Sequence, residues 1–332
     1  MVKLGMNNSE PKLHHYYPQF ELEYFTDVGK LWIYDRLKNS YRQQGTKTTG
    51  AITDFYTFSD DKGKKYKELE ASLSTCESIA APVIKKIHKG EYKLTGIERS
   101  EFSAYLALKW LRTPIHQRKS EALYETLMKV ESIKIASNSE KFNRVLDEVE
   151  KKEKTTIPDR EKLREFMKDE SKYTIQSERL VGLQTLVMSL RETGEEIFNM
   201  GWVFYFACKG RSFITSDNPF FIWPFFESDN PLGYGLRSTP AMTIIPLTPR
   251  VCLGLFYRNG HPPYKRKDIP GNMVNDLNNQ IALYSERFVI SHNKALLRKT
   301  IDRTKLFEKE PYKVIINVEG NPLYSKPFKV TR

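Results

Sequence analysis

Two adjacent histidines lie near the amino terminus, in the segment Lys12–Phe20. His14 and His15 could each act as a general base, a general acid or a metal ligand, because imidazole titrates near neutral pH. Successive side chains of a strand point to opposite sides, so one histidine could face a site while the other supports the fold. Gln19 adds an amide to the same segment. A buried arm in which both histidines bind backbone groups is the alternative.

Two glutamates and an arginine form a second set of candidate residues. Glu70 and Glu77 are seven positions apart, so they project from the same side of a helix and could bind a divalent metal ion or polarise a histidine. A solvated helix edge explains the same spacing. Arg112 stands directly before Thr113 and Pro114, where its guanidinium could bind a phosphate in a forked geometry. A surface ion pair explains Arg112 equally well.

A compact polar cluster, Thr215–Pro219, follows a predicted apolar strand. Site residues are often displayed at strand ends, on a rigid scaffold. Asp217 could orient a histidine or bind a metal ion, and Asn218 could donate a hydrogen bond to an oxyanion. The alternative is an Asx-type turn that ends at the proline.

The sequence carries no strong signature of an established enzyme class. It has no GxxxxGK[ST] phosphate loop, no GxGxxG after a predicted strand, no HExxH and no GxSxG, which disfavours nucleotide-driven and serine-hydrolase functions. The three cysteines, Cys76, Cys208 and Cys252, lie far apart and lack zinc-ligand spacing. We expect them to be reduced core residues of a cytoplasmic protein.

The charge balance is basic, with 53 Lys and Arg against 41 Asp and Glu and a net charge of +12. Such a surplus favours anionic partners, of which nucleic acid is the commonest. A basic surface without a polyanion partner is the alternative. The first residues lack the apolar run of a signal peptide, and the longest apolar stretch, near Phe220–Phe226, is too short to span a bilayer. We therefore expect an intracellular protein without a membrane partner.

The strands that must position these residues are predicted from runs of β-branched and aromatic residues. The predicted extended segments are Leu31–Asp35, Ile52–Phe58, a hairpin of Trp202–Ala207 with Phe213–Thr215, a strand pair of Ala241–Ile245 with Val251–Phe256, and a last strand at Lys313–Val318.

Helices are predicted where apolar residues recur every three or four positions, as in Tyr66–His88, Ser177–Met200 and Met273–Phe288. Thr95 and Glu98 have the spacing of a capping box, which predicts that a further helix begins there. Residues 137–172 are strongly charged and of mixed sign, which predicts a solvated helical excursion.

The order of these elements predicts an α+β fold in one large domain, residues 1–332. We expect a small amino-terminal β element, a long helical middle, and a carboxyl-terminal antiparallel β-rich half with one further helix. Runs of strands and runs of helices without regular βαβ alternation are typical of this class.

The segment His14–Phe20, followed by Phe25 and Leu31–Asp35, resembles the opening of a widespread bacterial and fungal family catalogued as a domain of unknown function. That family is recognised by a start similar to His-Tyr-Val-Pro-Gln-Phe. Tyr17 stands where a β-branched residue is usual and Glu21 where an aromatic residue is usual, and both departures are minor. The similarity continues in Asp54–Tyr56, Glu70, Glu77, Trp110–Pro114, Thr215–Pro219, Pro246–Pro249, Asn275–Asn278 and His292.

The resemblance implies a fold shared along nearly the whole chain and a site assembled from separated motifs, without an established reaction. Motifs so far apart in the sequence indicate residues that converge in space. We therefore treat eight residues as one candidate constellation: His14, His15, Gln19, Glu70, Glu77, Arg112, Asp217 and Asn218.

Our leading hypothesis is a nuclease-like hydrolase that acts on nucleic acid, as an intracellular toxin or a phage-defence effector. One of the two histidines would be the base, and Arg112 would stabilise phosphate charge. Glu70, Glu77 and Asp217 would bind a divalent metal ion or orient the base. The defence role is part of this hypothesis and does not rest on a particular residue.

Two other functions are open. A non-catalytic binding module could use the basic segment Arg258–Lys267 and the basic carboxyl terminus to bind nucleic acid in a salt-dependent manner, or could bind protein. A hydrolase or transferase for a small phosphorylated metabolite would need a deep, closed pocket. Convergence of His14, Glu70, Arg112 and Asp217 on one cleft would favour an enzyme. Scattered positions, with each side chain satisfied by backbone groups, would contradict it.

Overall fold

The structure of the protein, a computed structural model, describes residues 13–56, 58–59, 65–66, 68–177, 179–224, 235–239, 241–257, 264–309, 316–317 and 329–330. The described chain is a mixed α and β fold with amino-terminal strands, a helical middle and a carboxyl-terminal sheet that is largely antiparallel. The predicted fold class is therefore confirmed.

Short strands dominate the amino-terminal part of the described chain. Its strands and helix are β1 Leu13–His15, α1 Gln19–Leu22, β2 Lys30–Asp35, β3 Ser40–Gly45, β4 Ala51–Thr53, β5 Phe58–Ser59 and β6 Lys65–Tyr66. Single 3-10 turns cover Glu23–Phe25, directly after α1, and Thr46–Thr48.

Helices fill the middle of the described chain. They are α2 Glu68–Lys89, α3 Gly96–Leu111, α4 Pro114–Ser137, α5 Ser139–Glu153, α6 Arg160–Lys168 and α7 Arg179–Asn199. The capping box at the start of α3 is confirmed, because Thr95 and Glu98 each accept the other's backbone N–H.

Strands return after α7. The remaining elements are β7 Gly201–Ala207, β8 Thr215–Ser216, β9 Phe221–Pro224, β10 Ala241–Thr248, β11 Val251–Phe256, β12 Tyr264–Ile269, α8 Gly271–Leu283, β13 Phe288–Ser291, α9 Lys294–Thr304, β14 Ile316–Asn317 and β15 Lys329–Val330. The last predicted strand, residues 313–318, falls mostly outside the described residues.

The largest described sheet has the strand order β12-β7-β11-β10-β9, in which only the β12–β7 pair is parallel. The predicted pairing of β10 with β11 is confirmed. The predicted hairpin of Trp202–Ala207 with Phe213–Thr215 is wrong, because β7 lies between β11 and β12 and β8 pairs with β13. A nearly continuous apolar strand such as β7 is stable only where both of its faces are covered.

Strand β7 separates two apolar layers. Trp202 and Phe204 pack in one buried cluster with residues of α2 and α3 such as Ile84 and Phe102. Val203 and Tyr205, which alternate with them, pack in a second cluster with residues of α8 and α9. The five-stranded sheet therefore holds α2 and α3 on one face and α8 and α9 on the other.

The described chain divides into two compact units. Among the described residues, the first unit lies within 13–116, 186–224 and 235–309, and the second comprises residues 117–185, 316–317 and 329–330, apart from the gaps given above. The predicted charged excursion, residues 137–172, belongs to the second unit, where Phe142 and Leu146 form a small core with Leu163 and Met167. The single-domain organisation stays a prediction.

The amino-terminal histidine segment is held in the first unit by backbone hydrogen bonds. Strand β1 pairs antiparallel with β4, which places His14 opposite Ile52. The carbonyl of Gly50 accepts the N–H groups of both Tyr16 and Tyr17. Gly50 has a φ of 66°, and a Cβ added there would lie 2.6 Å from the Cβ of Tyr17. The close approach of these two chain segments therefore requires glycine.

Candidate active site

Arg112 forms the centre of the candidate site. It caps the end of α3, where Thr113 and Pro114 stop the helix, and its side chain has no exposed surface. Its Nη1 lies 2.7 Å from Oε1 of Glu77 on α2. The Nε and Nη2 atoms of Arg112 are buried and have no hydrogen-bond partner. Because a guanidinium carries five N–H donors, this one retains capacity for an anion.

Arg112 keeps its positive charge in this environment. Burial on its own would lower the pKa of Arg112, but Tyr56, Glu77 and Tyr105 act in the opposite direction and the pKa is raised overall. A buried charge with unfilled hydrogen-bonding capacity is costly for the fold. Such an arrangement is more often found at functional sites than in ordinary cores.

His14 is buried beside Tyr56. Its Nδ1 accepts the backbone N–H of Tyr56 at 2.9 Å, and the two rings stack with their centroids 5.6 Å apart. An Nδ1 that accepts a hydrogen bond carries no proton, so neutral His14 is protonated at Nε2. Tyr56 thereby links the histidine segment to the surroundings of Arg112.

His15 lies on the opposite side of β1 and differs from His14 in its partners. Its Nε2 is buried and has no hydrogen-bond partner, whereas its backbone carbonyl accepts the Tyr56 hydroxyl at 3.4 Å. A buried imidazole nitrogen without a partner is available to accept or donate a proton. His15 is therefore the better candidate of the two histidines for proton transfer.

A fully buried ion pair lies next to this group, between Glu21 of α1 and Lys109 of α3. The hydroxyl of Tyr105 donates to the other carboxylate oxygen of Glu21. Burial lowers the pKa of Lys109, and the Glu21 carboxylate opposes that shift. The Lys109 ammonium also lies 4.7 Å from the ring centroid of Tyr17.

Tyr17 connects this ion pair to the β8 strand. Its hydroxyl lies 2.9 Å from Oγ1 of Thr215, in a fully buried hydrogen bond. Burial raises the pKa of Tyr17 well above its ordinary value, so the phenol stays protonated. Tyr17 therefore joins the histidine segment, α3 and the start of the Thr215–Pro219 cluster.

Gln19 has a structural contact. Its Nε2 donates to Oγ1 of Thr46 at 3.2 Å, which ties α1 to the 3-10 turn at Thr46–Thr48. This bond is separate from the hydrogen bonds described for Arg112 and Glu77. A catalytic role for Gln19 stays a prediction.

Asp217 binds backbone. Its carboxylate accepts the N–H groups of Glu286, Arg287 and Phe288 at 2.7–2.9 Å, at the junction of α8 and β13. Burial, with the Glu286 carboxylate next in effect, raises the pKa of Asp217 to about 6 against the opposing effect of these three donors. The described bonds of this carboxylate organise the α8–β13 turn, and its catalytic role stays a prediction.

Asn218 also supports this turn. Its side-chain Nδ2 donates to the carbonyl of Tyr284 at 3.0 Å, and its backbone carbonyl accepts the Ser216 hydroxyl at 2.9 Å. The second bond is the short-range kind that forms polar turns before a proline. The use of Asn218 as an oxyanion donor stays a prediction.

The predicted metal ligands are only partly described. Glu70 lies in α2, but its side chain falls outside the described part of the structure. Glu77 is on α2 too and binds Arg112. Within the described residues, no three or more His, Cys, Asp and Glu side chains are grouped in a way that could hold a metal ion. The metal assignment stays a prediction.

The structure thus brings together His14, Glu77 and Arg112 around Tyr56, with His15 next to His14 on β1. Sequence reasoning missed Glu21 and Lys109, which are fully buried. The sequence of α3 and its C-cap did carry a signal of this polar face. Tyr105, Lys109 and Arg112 stand at positions i, i+4 and i+7 and therefore share one helix face. Lys109 also stands in an otherwise apolar stretch, Leu106–Leu111.

Fold and site define a mixed α and β protein with charged residues buried between its amino-terminal motif and two long helices. The sequence model of a family described as "Protein of unknown function (DUF4238)" matches residues 13–295. The chain belongs to this family. No curated protein and no solved structure matches the chain. None of the helices in the described ranges combines the length and apolar character needed to cross a membrane.

The ion pair of Glu21 and Lys109 leads to a stability prediction. Lys109→Met should lower the free energy of unfolding by about 3–5 kcal/mol, because it leaves a buried carboxylate without its cation. The double variant Glu21→Gln/Lys109→Met should recover most of this loss, since a neutral amide oxygen can still accept the Tyr105 hydroxyl. Urea denaturation measures both changes. A double variant no more stable than Lys109→Met would contradict the proposed coupling.

The raised pKa of Asp217 leads to a pH prediction. The carboxyl holds its proton more tightly in the folded than in the unfolded chain, so its contribution to stability is greatest at low pH. That contribution falls as pH rises from about 4 through about 6, by up to about 3 kcal/mol. Measured against Asp217→Asn, which does not titrate, the parent should lose stability over this interval. A constant difference between the two proteins across the interval would show that the pKa is not raised.

Proposed function

We propose that the chain is a hydrolase that cleaves phosphodiester bonds in nucleic acid, with Arg112 as the residue that binds the phosphate. One observation carries the proposal: a buried guanidinium that uses Nη1 for Glu77 and leaves Nε and Nη2 without partners. These two nitrogens lie on one edge of the planar guanidinium. That edge matches two oxygens of a phosphate in a bidentate geometry.

Glu77 supports this role of Arg112 by orienting the guanidinium. A carboxylate on one nitrogen restricts rotation of the group and leaves the opposite edge for the substrate. Because the Arg112 side chain has no exposed surface, a phosphate can reach it only when neighbouring groups move aside. A water-poor environment of this kind strengthens the attraction between guanidinium and phosphate.

His15 would transfer the proton in the reaction. Its partner-free Nε2 could take a proton from the attacking water or give one to the leaving oxygen, which contributes typically ~10²–10⁴-fold to a rate. His14 would position Tyr56 through the hydrogen bond at its Nδ1. In this assignment the two histidines have different tasks, as expected for neighbours on one strand.

The overall charge suits the proposed substrate. A net charge of +12 attracts a polyanion and speeds its arrival. Lys265, Arg266 and Lys267 follow one another on the exposed edge strand β12, although Arg266 is paired with Asp268. Cleavage of nucleic acid inside a cell would suit a toxin or a phage-defence effector, and that role is part of the same proposal.

A second candidate function is a non-catalytic binding module. The described contacts of Gln19, Asp217 and Asn218 favour it, because all three side chains bind groups that hold the fold together. In that case Arg112 and the exposed lysines of β12 would bind phosphates without cleaving them, and affinity would fall as salt rises.

The experiment incubates the purified chain with labelled single-stranded and duplex RNA and DNA, with and without divalent metal ions. Arg112→Lys keeps a positive charge but loses the forked donors, so it should lower the cleavage rate by about 10²–10³-fold, as loss of a preorganised oxyanion donor does. His15→Ala should lower it by about 10²-fold or more.

Arg191→Lys is the matched control, because Arg191 pairs with Glu195 on an exposed face of α7. It should cleave like the parent. Far-ultraviolet circular dichroism and urea denaturation should show that the two site variants remain folded. Absence of cleavage of every substrate by the parent, with and without metal ions, would contradict the hydrolase and leave the binding module.

A further inference from the structure

An open groove lies beside the candidate site, between α2 and the segment that contains α1 and its following 3-10 turn. Its volume is about 710 Å³, within the ~300–1,000 Å³ range of ligand sites. One wall is formed by Phe20, Glu23 and Tyr24. The groove therefore begins where the histidine segment ends.

The second wall of the groove belongs to α2. Ser78, Ala81, Pro82 and Lys85 line it along about two turns of the helix. Glu77, which holds Arg112, lies four positions before Ala81 and therefore on the same side of α2. A chain-like ligand lying along this wall would extend from the groove towards the Glu77–Arg112 pair.

We propose that this groove binds a segment of single-stranded nucleic acid and delivers its backbone to Arg112. This inference rests on the proposed function and specifies its substrate class. The groove combines two aromatic rings with a lysine, which is the combination that binds exposed bases and their phosphates.

The aromatic rings of the groove are held in place from behind. Phe20 packs on Tyr105, with ring centroids 5.9 Å apart, and Tyr24 packs on His88 at 4.9 Å. Both rings are only half-buried, so they retain surface towards the groove. Bases stack on such platforms with little dependence on sequence, because every base presents a flat π surface.

Polar groups in the groove suit the edges of a base and a phosphate. Glu23 is exposed and its carboxylate could accept a hydrogen bond from an exocyclic amino group. Pro82 has no N–H, so the backbone carbonyl of Ser78 lacks its usual helical partner and is another acceptor on this wall. Lys85 is an exposed cation for a phosphate.

Single strands fit this arrangement better than a duplex. Stacked and paired bases in a duplex cannot lie flat against Phe20 or Tyr24, whereas an unpaired base can. The exposed lysines Lys85 and Lys89 lie one turn apart on α2 and could follow a flexible backbone. The ligand is therefore expected to contact the groove through its bases and Arg112 through its backbone.

The test measures binding of a short fluorescent single-stranded oligonucleotide by anisotropy, in a His15→Ala background so that the ligand is not consumed. Tyr24→Ala should weaken binding by about tenfold or more, as expected for loss of a base-stacking platform. Tyr24→Phe should bind like the background protein, because it keeps the ring. Lys85→Ala should make the slope of the logarithm of affinity against the logarithm of salt concentration shallower by about 0.7.

Tyr124→Ala is the matched control, since Tyr124 is a solvent-exposed tyrosine of α4 in the other unit. It should leave affinity unchanged. Urea denaturation establishes that Tyr24→Ala is folded, and Tyr24→Phe separates the ring from the hydroxyl. A duplex of the same sequence should compete at least about tenfold more weakly than the single strand, because its bases are not free to stack on the rings.

Equal binding by Tyr24→Ala and Tyr24→Phe, or equal competition by the duplex, would overturn the groove assignment. Cleavage by the parent with no effect of Tyr24→Ala on binding would reject the groove and leave Arg112 as the phosphate site. Binding that depends on Tyr24, without cleavage by the parent, would support the groove and reject the hydrolase.

Discussion

The need to compensate two buried positive charges at the end of α3 is the constraint on which the rest of this site depends. Lys109 and Arg112 lie three positions apart, hence on one helix face, and each is completely buried. Two like charges so close are tolerated only if each has a carboxylate partner. Glu21 reaches Lys109 from α1, and Glu77 reaches Arg112 from α2. Charge compensation therefore forces the amino-terminal motif and both helices together.

The two ion pairs are not equivalent. Lys109 is enclosed by Glu21, Tyr17 and the neighbouring rings, and its contacts suit a structural role. Arg112 has one carboxylate partner and two nitrogens with none. The same compensation thus produces one satisfied pair that holds the motif in place and one incompletely satisfied cation. The second is the one with capacity for a ligand.

Local sequence signals predicted the local parts of the fold. The capping box at Thr95 identified the start of α3, and the two strands around Pro246–Pro249 were found because a short turn joins them. The position of β7 was not predicted, since its pairing with β12 depends on residues about 60 positions away along the chain. Propensity and periodicity carry no information about such distant partners.

The candidate site shows the same division. His14, His15, Glu77 and Arg112 were candidates because their residue types can carry chemistry, and their roles stay predictions. Glu21 gave no local signal of its role, because its partners Tyr105 and Lys109 are 84 and 88 positions away along the chain. Only the folded chain shows that this carboxylate faces inward.

The groove and the guanidinium offer complementary parts of one proposed substrate site. The groove presents flat apolar surfaces with a cation, and Arg112 presents a directed pair of N–H donors in a buried environment. A nucleic-acid strand has both kinds of group in regular alternation. Helix α2 joins the two parts, since Glu77 lies one turn before Ala81 of the groove wall.

Binding of phosphate by Arg112 is tested most directly by an NMR measurement of its Nε–H group, assigned by its loss in Arg112→Lys. A nuclease-resistant phosphorothioate oligonucleotide is titrated into isotope-labelled protein. We expect this resonance to move downfield and to saturate with binding, because Nε–H gains a phosphate acceptor. A resonance that stays in place when the protein is saturated would contradict the claim that Arg112 binds the phosphate.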